Sequence, residues 1–187
     1  MRAFVRALGG ATLIGAFTSE GVLAQGPTRY SADVSVGLWG QRTSGVYSDD
    51  GGGGFSGELS VVRRFHSDVT GGFVAGANAA YFLQIGGGDS CRLLPDGGCA
   101  PQSPSMRLIG ALTGWETRGG WLRATGGLAY VHPTSGGGAL AFQGRLDAAV
   151  PVVRHVALAV FAHPVFIPRY RRDSFRLLGG GVGIRIR

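Results

Sequence analysis

The chain has 187 residues, 18 basic against 11 acidic side chains, a net charge of +7 and two cysteines. That length holds one ordinary domain, and nothing past residue 24 offers the ~18 uninterrupted apolar residues of a helical membrane span. Every basic side chain is arginine. The arginines are spread through the chain instead of gathered in a basic tract, which argues against a nucleic-acid partner.

The N-terminus begins with a basic segment, Met1-Arg-Ala-Phe-Val-Arg6, followed by an apolar stretch from Ala7 to Phe17. Val22-Leu23-Ala24 supplies tolerated residues at the −3 and −1 positions of a signal-peptidase site. The expected division is a cleavable signal peptide over residues 1–24 and a mature domain over 25–187, of 187 − 24 = 163 residues. Gln25 follows the cut, so no cysteine is placed there for acylation.

Eight segments of period-2 alternation follow, at 29–41, 55–65, 69–85, 106–117, 121–131, 139–150, 156–166 and 174–186. Tyr30-Ser-Ala32-Asp-Val34-Ser-Val36-Gly-Leu38 sets the type, with apolar side chains on one face and small or polar ones on the other. That is the period of a β-strand. The connections alternate between long and short, with Gly and Asp supplying turn chemistry. The expected fold is all-β, an eight-stranded antiparallel up-and-down barrel with both chain ends on the short-turn side.

Cys91 and Cys99 lie together in the longest connection, 86–105. In an exported chain a disulfide between them is expected. Zinc is not, because four ligands are needed and no histidine lies nearby.

Period 2 does not say which face is inside. The apolar face is diluted by Gly and Ala, which suits lipid contact better than a packed core. It is read as Phe55, Leu59 and Val61 on the second strand, Met106, Leu108 and Leu112 on the fourth, and Leu178, Val182 and Ile184 on the last. The opposite face carries charges of both signs, as a dry lumen needs. Aromatic residues fall near strand ends (Trp39, Phe55, Phe65, Tyr81, Trp115, Trp121, Tyr130, Phe166, Tyr170) like a membrane-interface girdle.

These features resemble the small eight-stranded bacterial outer-membrane barrels, the group of the OmpA transmembrane domain, OmpX-like and opacity-type proteins. Gly181-Val-Gly-Ile184-Arg-Ile186 is similar to that group's C-terminal assembly signal, although the chain ends in Arg187 instead of an aromatic residue. The resemblance implies an outer-membrane location, insertion by the barrel-assembly machinery, contact with membrane lipid and a structural or surface-interaction role. A monomer is expected. The alternative is a soluble periplasmic or secreted lipocalin-like barrel, which must turn its apolar face inward around an apolar ligand.

The expected lumenal ion-pair network is Asp33, Glu58 and Asp147 with Arg64, Arg107, Arg123, Arg145 and Arg185, acting as a polar plug. Arg169, Arg171, Arg172 and Arg176 gather at the outer end, where arginine forks suit the phosphates of surface glycolipid. A lipid A-modifying enzyme would have only His132 with Ser135, or His163, to work with. No acidic residue sits at strand spacing to orient either imidazole, so no enzyme is expected. The glycine runs lack the Gly-x-x-x-x-Gly-Lys-Ser/Thr pattern, and no cofactor is expected; they read as flexible loop bases.

Overall fold

The computed structural model describes residues 30–44, 51–85, 91–93, 99–101, 105–134, 137–170 and 173–187. The expected signal peptide lies outside the described residues. The strands are β1 (Tyr30–Ser44), β2 (Gly51–Ser67), β3 (Gly71–Gln84), β4 (Cys91–Leu93), β5 (Cys99–Pro101), β6 (Met106–Thr117), β7 (Leu122–Pro133), β8 (Ala139–Val153), β9 (Val156–Tyr170) and β10 (Asp173–Ile186). Eight of them close into an antiparallel barrel in the order β1-β2-β3-β6-β7-β8-β9-β10, with β10 returning to β1. The remaining two, β4 and β5, pair as a small hairpin inside the third connection and place both cysteine backbones on it. The side chains of Cys91 and Cys99 lie outside the described residues.

Local chemistry explains the tight ends. The β2–β3 turn is held by Asp68, whose Oδ1 accepts from the backbone N–H groups of Thr70 (2.8 Å) and Gly71 (2.9 Å), an Asx-type closure. The β6–β7 turn contains Gly120 at φ +66°, a left-handed conformation that costs glycine nothing. At the same end the Arg187 N–H donates to the His155 carbonyl at 2.9 Å. The chain end and the short turns therefore share one rim.

Several strands outrun their expected bounds. Gly51–Gly54, expected as a loop base, instead pair with Arg42 to Trp39 of β1. Arg169 and Arg176, expected in or beyond a loop, lie on β9 and β10. Strands of 12 to 17 residues exceed the ~9–11 that cross hydrocarbon when tilted, so the barrel wall projects past an apolar band.

β9 shows the alternation without a slip. Ala157, Ala159, Phe161, His163, Val165 and Ile167 face inward, while Leu158, Val160, Ala162, Pro164 and Phe166 face outward. Every barrel strand contributes exposed large apolar residues, among them Val36, Leu59, Phe73, Ile109, Leu128, Leu140, Leu158 and Val182. An apolar exterior spread over all eight barrel strands marks a surface that contacts membrane or a partner. A soluble ligand-binding barrel needs the reverse, with arginines outside; here Arg123 and Arg185 are 1% and 0% exposed.

The fourth barrel strand corrects one assignment of faces. On β6 it is Met106, Leu108 and Leu112 that are buried in the lumen, while Arg107, Ile109, Ala111 and Thr113 face out. Trp39 is also inside instead of in the girdle. Its Nε1 donates to the Leu83 carbonyl at 3.1 Å, and its ring meets Phe82 edge-on at 5.8 Å. With Met106, Leu108, Val165, Ile167, Phe175 and Leu177 it forms an apolar cluster filling the lumen toward the long-loop end. The lumen is thus two-tiered: charged toward the short-turn rim, apolar toward the other.

Candidate functional site

The charged tier begins at the short-turn rim. Asp33 on β1 is its centre: Oδ1 accepts from Arg185 Nε at 2.5 Å, and Oδ2 from Arg123 Nη1 at 2.6 Å and Ser60 Oγ at 3.2 Å. Arg123 donates further, through Nε to Glu116 Oε2 at 2.7 Å and through Nη2 to Ser31 Oγ at 2.5 Å. Glu116 also receives Arg64. Arg185 Nη1 donates to the Gly120 carbonyl at 3.0 Å, and Arg187 Nη1 to that of Gly119 at 2.8 Å. The base of the barrel is therefore tied across β1, β2, β6, β7 and β10 by guanidinium forks.

A second cluster lies higher in the lumen. Arg145 on β8 donates through Nε to Asp147 Oδ1 at 2.9 Å, and through Nη1 to Glu58 on β2. Its guanidinium also lies over the Phe161 ring, 4.4 Å from the centroid. Glu58 Oε2 meets His163 Nδ1 at 2.9 Å, and His163 Nε2 faces Gln143 Oε1 at 3.2 Å. Gln143 and Asn78 exchange two amide hydrogen bonds of 2.9 Å. Arg185 Nη2 and Asp147 Oδ2, 3.6 Å apart, link the two clusters.

Of the expected network, Asp33, Glu58, Arg64, Arg123, Arg145, Asp147 and Arg185 come together in the lumen. Arg107 does not: it sits on the outer wall, because β6 turns its even-numbered residues inward. Glu116 takes the place in the network that sequence reasoning gave to β6 through Arg107. The four carboxylates Asp33, Glu58, Glu116 and Asp147 thus face the four guanidiniums of Arg64, Arg123, Arg145 and Arg185. Such pairing is what makes buried charge tolerable, since removing one partner leaves the other desolvated and uncompensated.

His163 does have a carboxylate partner, but across the lumen from β2, where strand spacing cannot reveal it. The ring is fully buried, sealed between the charged cluster and the apolar tier. His132 faces outward on β7, and Ser135 lies outside the described residues. Among the rim arginines, Arg169 is exposed on β9 and Arg176 lies over the Phe166 ring at 5.9 Å. Arg42 of β1, not expected from sequence, stands directly opposite Arg176 on the outer face. Arg171 and Arg172 lie outside the described residues.

Neither a family model nor a curated protein matches the chain. Solved structures do. Neisserial surface protein A aligns at a TM-score of 0.54 with 13% identity, over 86% of this chain and 98% of its own. Ail, the attachment invasion locus protein of Yersinia pestis, aligns at 0.43 with 12% identity, over 85% and 100%. The outer membrane protein OprG from Pseudomonas aeruginosa aligns at 0.42 with 9% identity, over 88% and 98%. At such identities the likeness is one of fold, and the lipid requirement comes from the apolar exterior described above. The chain is a closed eight-stranded antiparallel barrel with an apolar exterior, and it shares its fold with Neisserial surface protein A.

Proposed function

We propose that this is a structural and surface-interaction barrel with a plugged lumen. In this reading it is exported by the 1–24 signal, folded as a 25–187 domain and inserted with β10 as its assembly strand. It stands as a monomer and presents its long connections outward. The observation that supports it is the filling of the lumen by two unlike layers. An eight-stranded barrel is just wide enough for side chains to fill. Here ion pairs occupy one half and Trp39, Phe82, Met106 and Leu108 the other.

The two layers make a specific expectation for conductance. Glu58→Ala removes a partner of both Arg145 and His163 and should destabilise the barrel by ~3–5 kcal/mol. It should open no porin-sized path, because the apolar tier above it is untouched. Planar-bilayer recordings check this directly. Stable openings of porin size from the wild-type protein would remove the plug from the proposal.

The outer rim is the surface-facing element. Arg42 and Arg176 stand side by side, with Arg169 exposed on the neighbouring β9, and this basic group suits bidentate phosphate contact with surface glycolipid; the sequence adds Arg171 and Arg172, which lie outside the described residues. Fractionation tests the location. The protein should leave membranes only with detergent and migrate differently on a gel before and after boiling. Recovery from periplasmic extract without detergent would return it to the soluble class.

A further inference from the structure

Arg107 is expelled from the lumen, and its surroundings on the outer wall are specific. Register sets Tyr81 of β3 directly opposite it on one side and His132 of β7 on the other. All three face outward. The same row continues to Gly57 of β2, opposite Tyr81. Two residues further down the wall come Ala79 and Ile109, the latter 69% exposed within the apolar belt. Among the described residues no carboxylate pairs with Arg107.

A shallow outer-wall groove of ≈ 390 Å³ runs through this patch, lined by Gly57, Ala79, Tyr81, Arg107 and Ile109. Its floor is low because two side chains are minimal. A Cβ built at Gly57 would meet nothing within 4 Å, so neither backbone approach nor packing demands glycine there. The top of the groove carries the Arg107 guanidinium and the Tyr81 phenol, its lower part is apolar, and His132 stands just outside it, opposite Arg107 on β7. Arginine near the membrane interface costs only ~0–1 kcal/mol, against ~2–4 at the midplane, and the interface is where lipid phosphates lie.

We propose that this groove is a binding site for one phosphorylated acyl glycolipid of the outer leaflet. The phosphate is taken by Arg107, with His132 and Tyr81 beside it, and an acyl chain lies in the trough over Gly57 and Ala79 against Ile109. A guanidinium suits this phosphate because its planar fork offers paired donors. Arg107, on β6, lies three strands around the wall from Arg169 on β9 and four from Arg176 on β10. The site does rest on the reading that the long-connection end faces the cell exterior.

The test uses the full barrel folded in neutral detergent micelles, with lipid retention measured by native mass spectrometry across a titration. The probes are bis-phosphorylated lipid A, the same lipid with its phosphates removed, and phosphatidylglycerol. Wild type should hold the phosphorylated lipid A best. Arg107→Gln should weaken that binding about tenfold and abolish the preference for the phosphorylated form. Gly57→Leu, which fills the trough, should weaken both forms of lipid A alike. Arg118→Gln, at an exposed turn on the opposite rim, should change nothing.

Heat-dependent gel mobility shows that each variant is folded. Wild-type affinity in either Arg107→Gln or Gly57→Leu would overturn the site. Equal binding of phosphatidylglycerol would overturn the glycolipid assignment. Loss of detergent-dependent extraction from cells would instead overturn the outer-membrane reading on which the proposal stands.

Discussion

Replacing Asp33 with alanine is expected to lower the unfolding free energy of the barrel by about 3–5 kcal/mol, the cost of breaking a buried ion pair from one side. Asp33 is shared: Arg185 holds one oxygen, and Arg123 with Ser60 holds the other. Both guanidiniums are essentially unexposed, so water cannot replace the lost carboxylate. Glu116 and Asp147 remain as partners, but four guanidiniums then face three acids. Urea unfolding in lipid vesicles, followed by tryptophan fluorescence and extrapolated linearly, measures the loss. Adding Arg185→Leu to Asp33→Ala should recover part of it, since the second change removes a stranded charge. A loss below about 1 kcal/mol in the single variant would mean that the base of the lumen is wet enough to solvate arginine.

The network was legible in the sequence wherever a strand has one apolar face and one polar face. Asp33, Glu58, Arg123, Arg145, Asp147 and Arg185 are isolated charges on such strands, and parity alone puts them together. It fails on β6 because both faces there are apolar. Met106, Leu108 and Leu112 line one, Ile109, Ala111 and Trp115 the other, and a lone arginine at the strand end says little about direction, since its long stem reaches the interface from a lipid-facing position. Trp115 held the missing signal: as a girdle residue it forces odd positions outward, and Glu116 then falls into the lumen. Trp39 shares the parity of Asp33 and Ser35, a signal for the lumen that the girdle reading passed over.

The apolar tier was hidden for a related reason. The inward faces of β3 and β9 change character partway along, from Asn78 to Ala80 and Phe82, and from His163 to Val165 and Ile167. Period-2 reading places the outer face of both strands, but apolar residues on the inner face as well give it no sign that the lumen there turns from polar to apolar. The pairing of His163 with Glu58 spans the lumen between strands far apart in sequence, a contact that exists only once the barrel is closed. What the chain displays locally is its wall; what the closed wall brings together is not local.

Gly181→Val is expected to prevent closure altogether. Gly37 and Gly181 stand directly opposite each other on the β1–β10 pair, the seam that turns a curled sheet into a barrel. A Cβ on Gly181 would lie 2.1 Å from the Val36 carbonyl oxygen and 2.4 Å from the Gly37 Cα. Both are backbone atoms of the neighbouring strand, so no rotamer change relieves the clash, and the ladder itself must part. An open seam leaves two strand edges whose N–H and C=O groups have no partners in hydrocarbon, at several kcal/mol for each group. Gly181 also stands in the segment that resembles the assembly signal, so failure in cells has two explanations. Refolding the purified chain into detergent, with no assembly machinery present, separates them: a geometric defect persists there, whereas a recognition defect disappears. Gly57→Val, on the outer wall with open space around it, should refold like wild type in the same assay. If Gly181→Val also yields the heat-modifiable folded band in detergent, the seam tolerates a side chain and the glycine serves recognition.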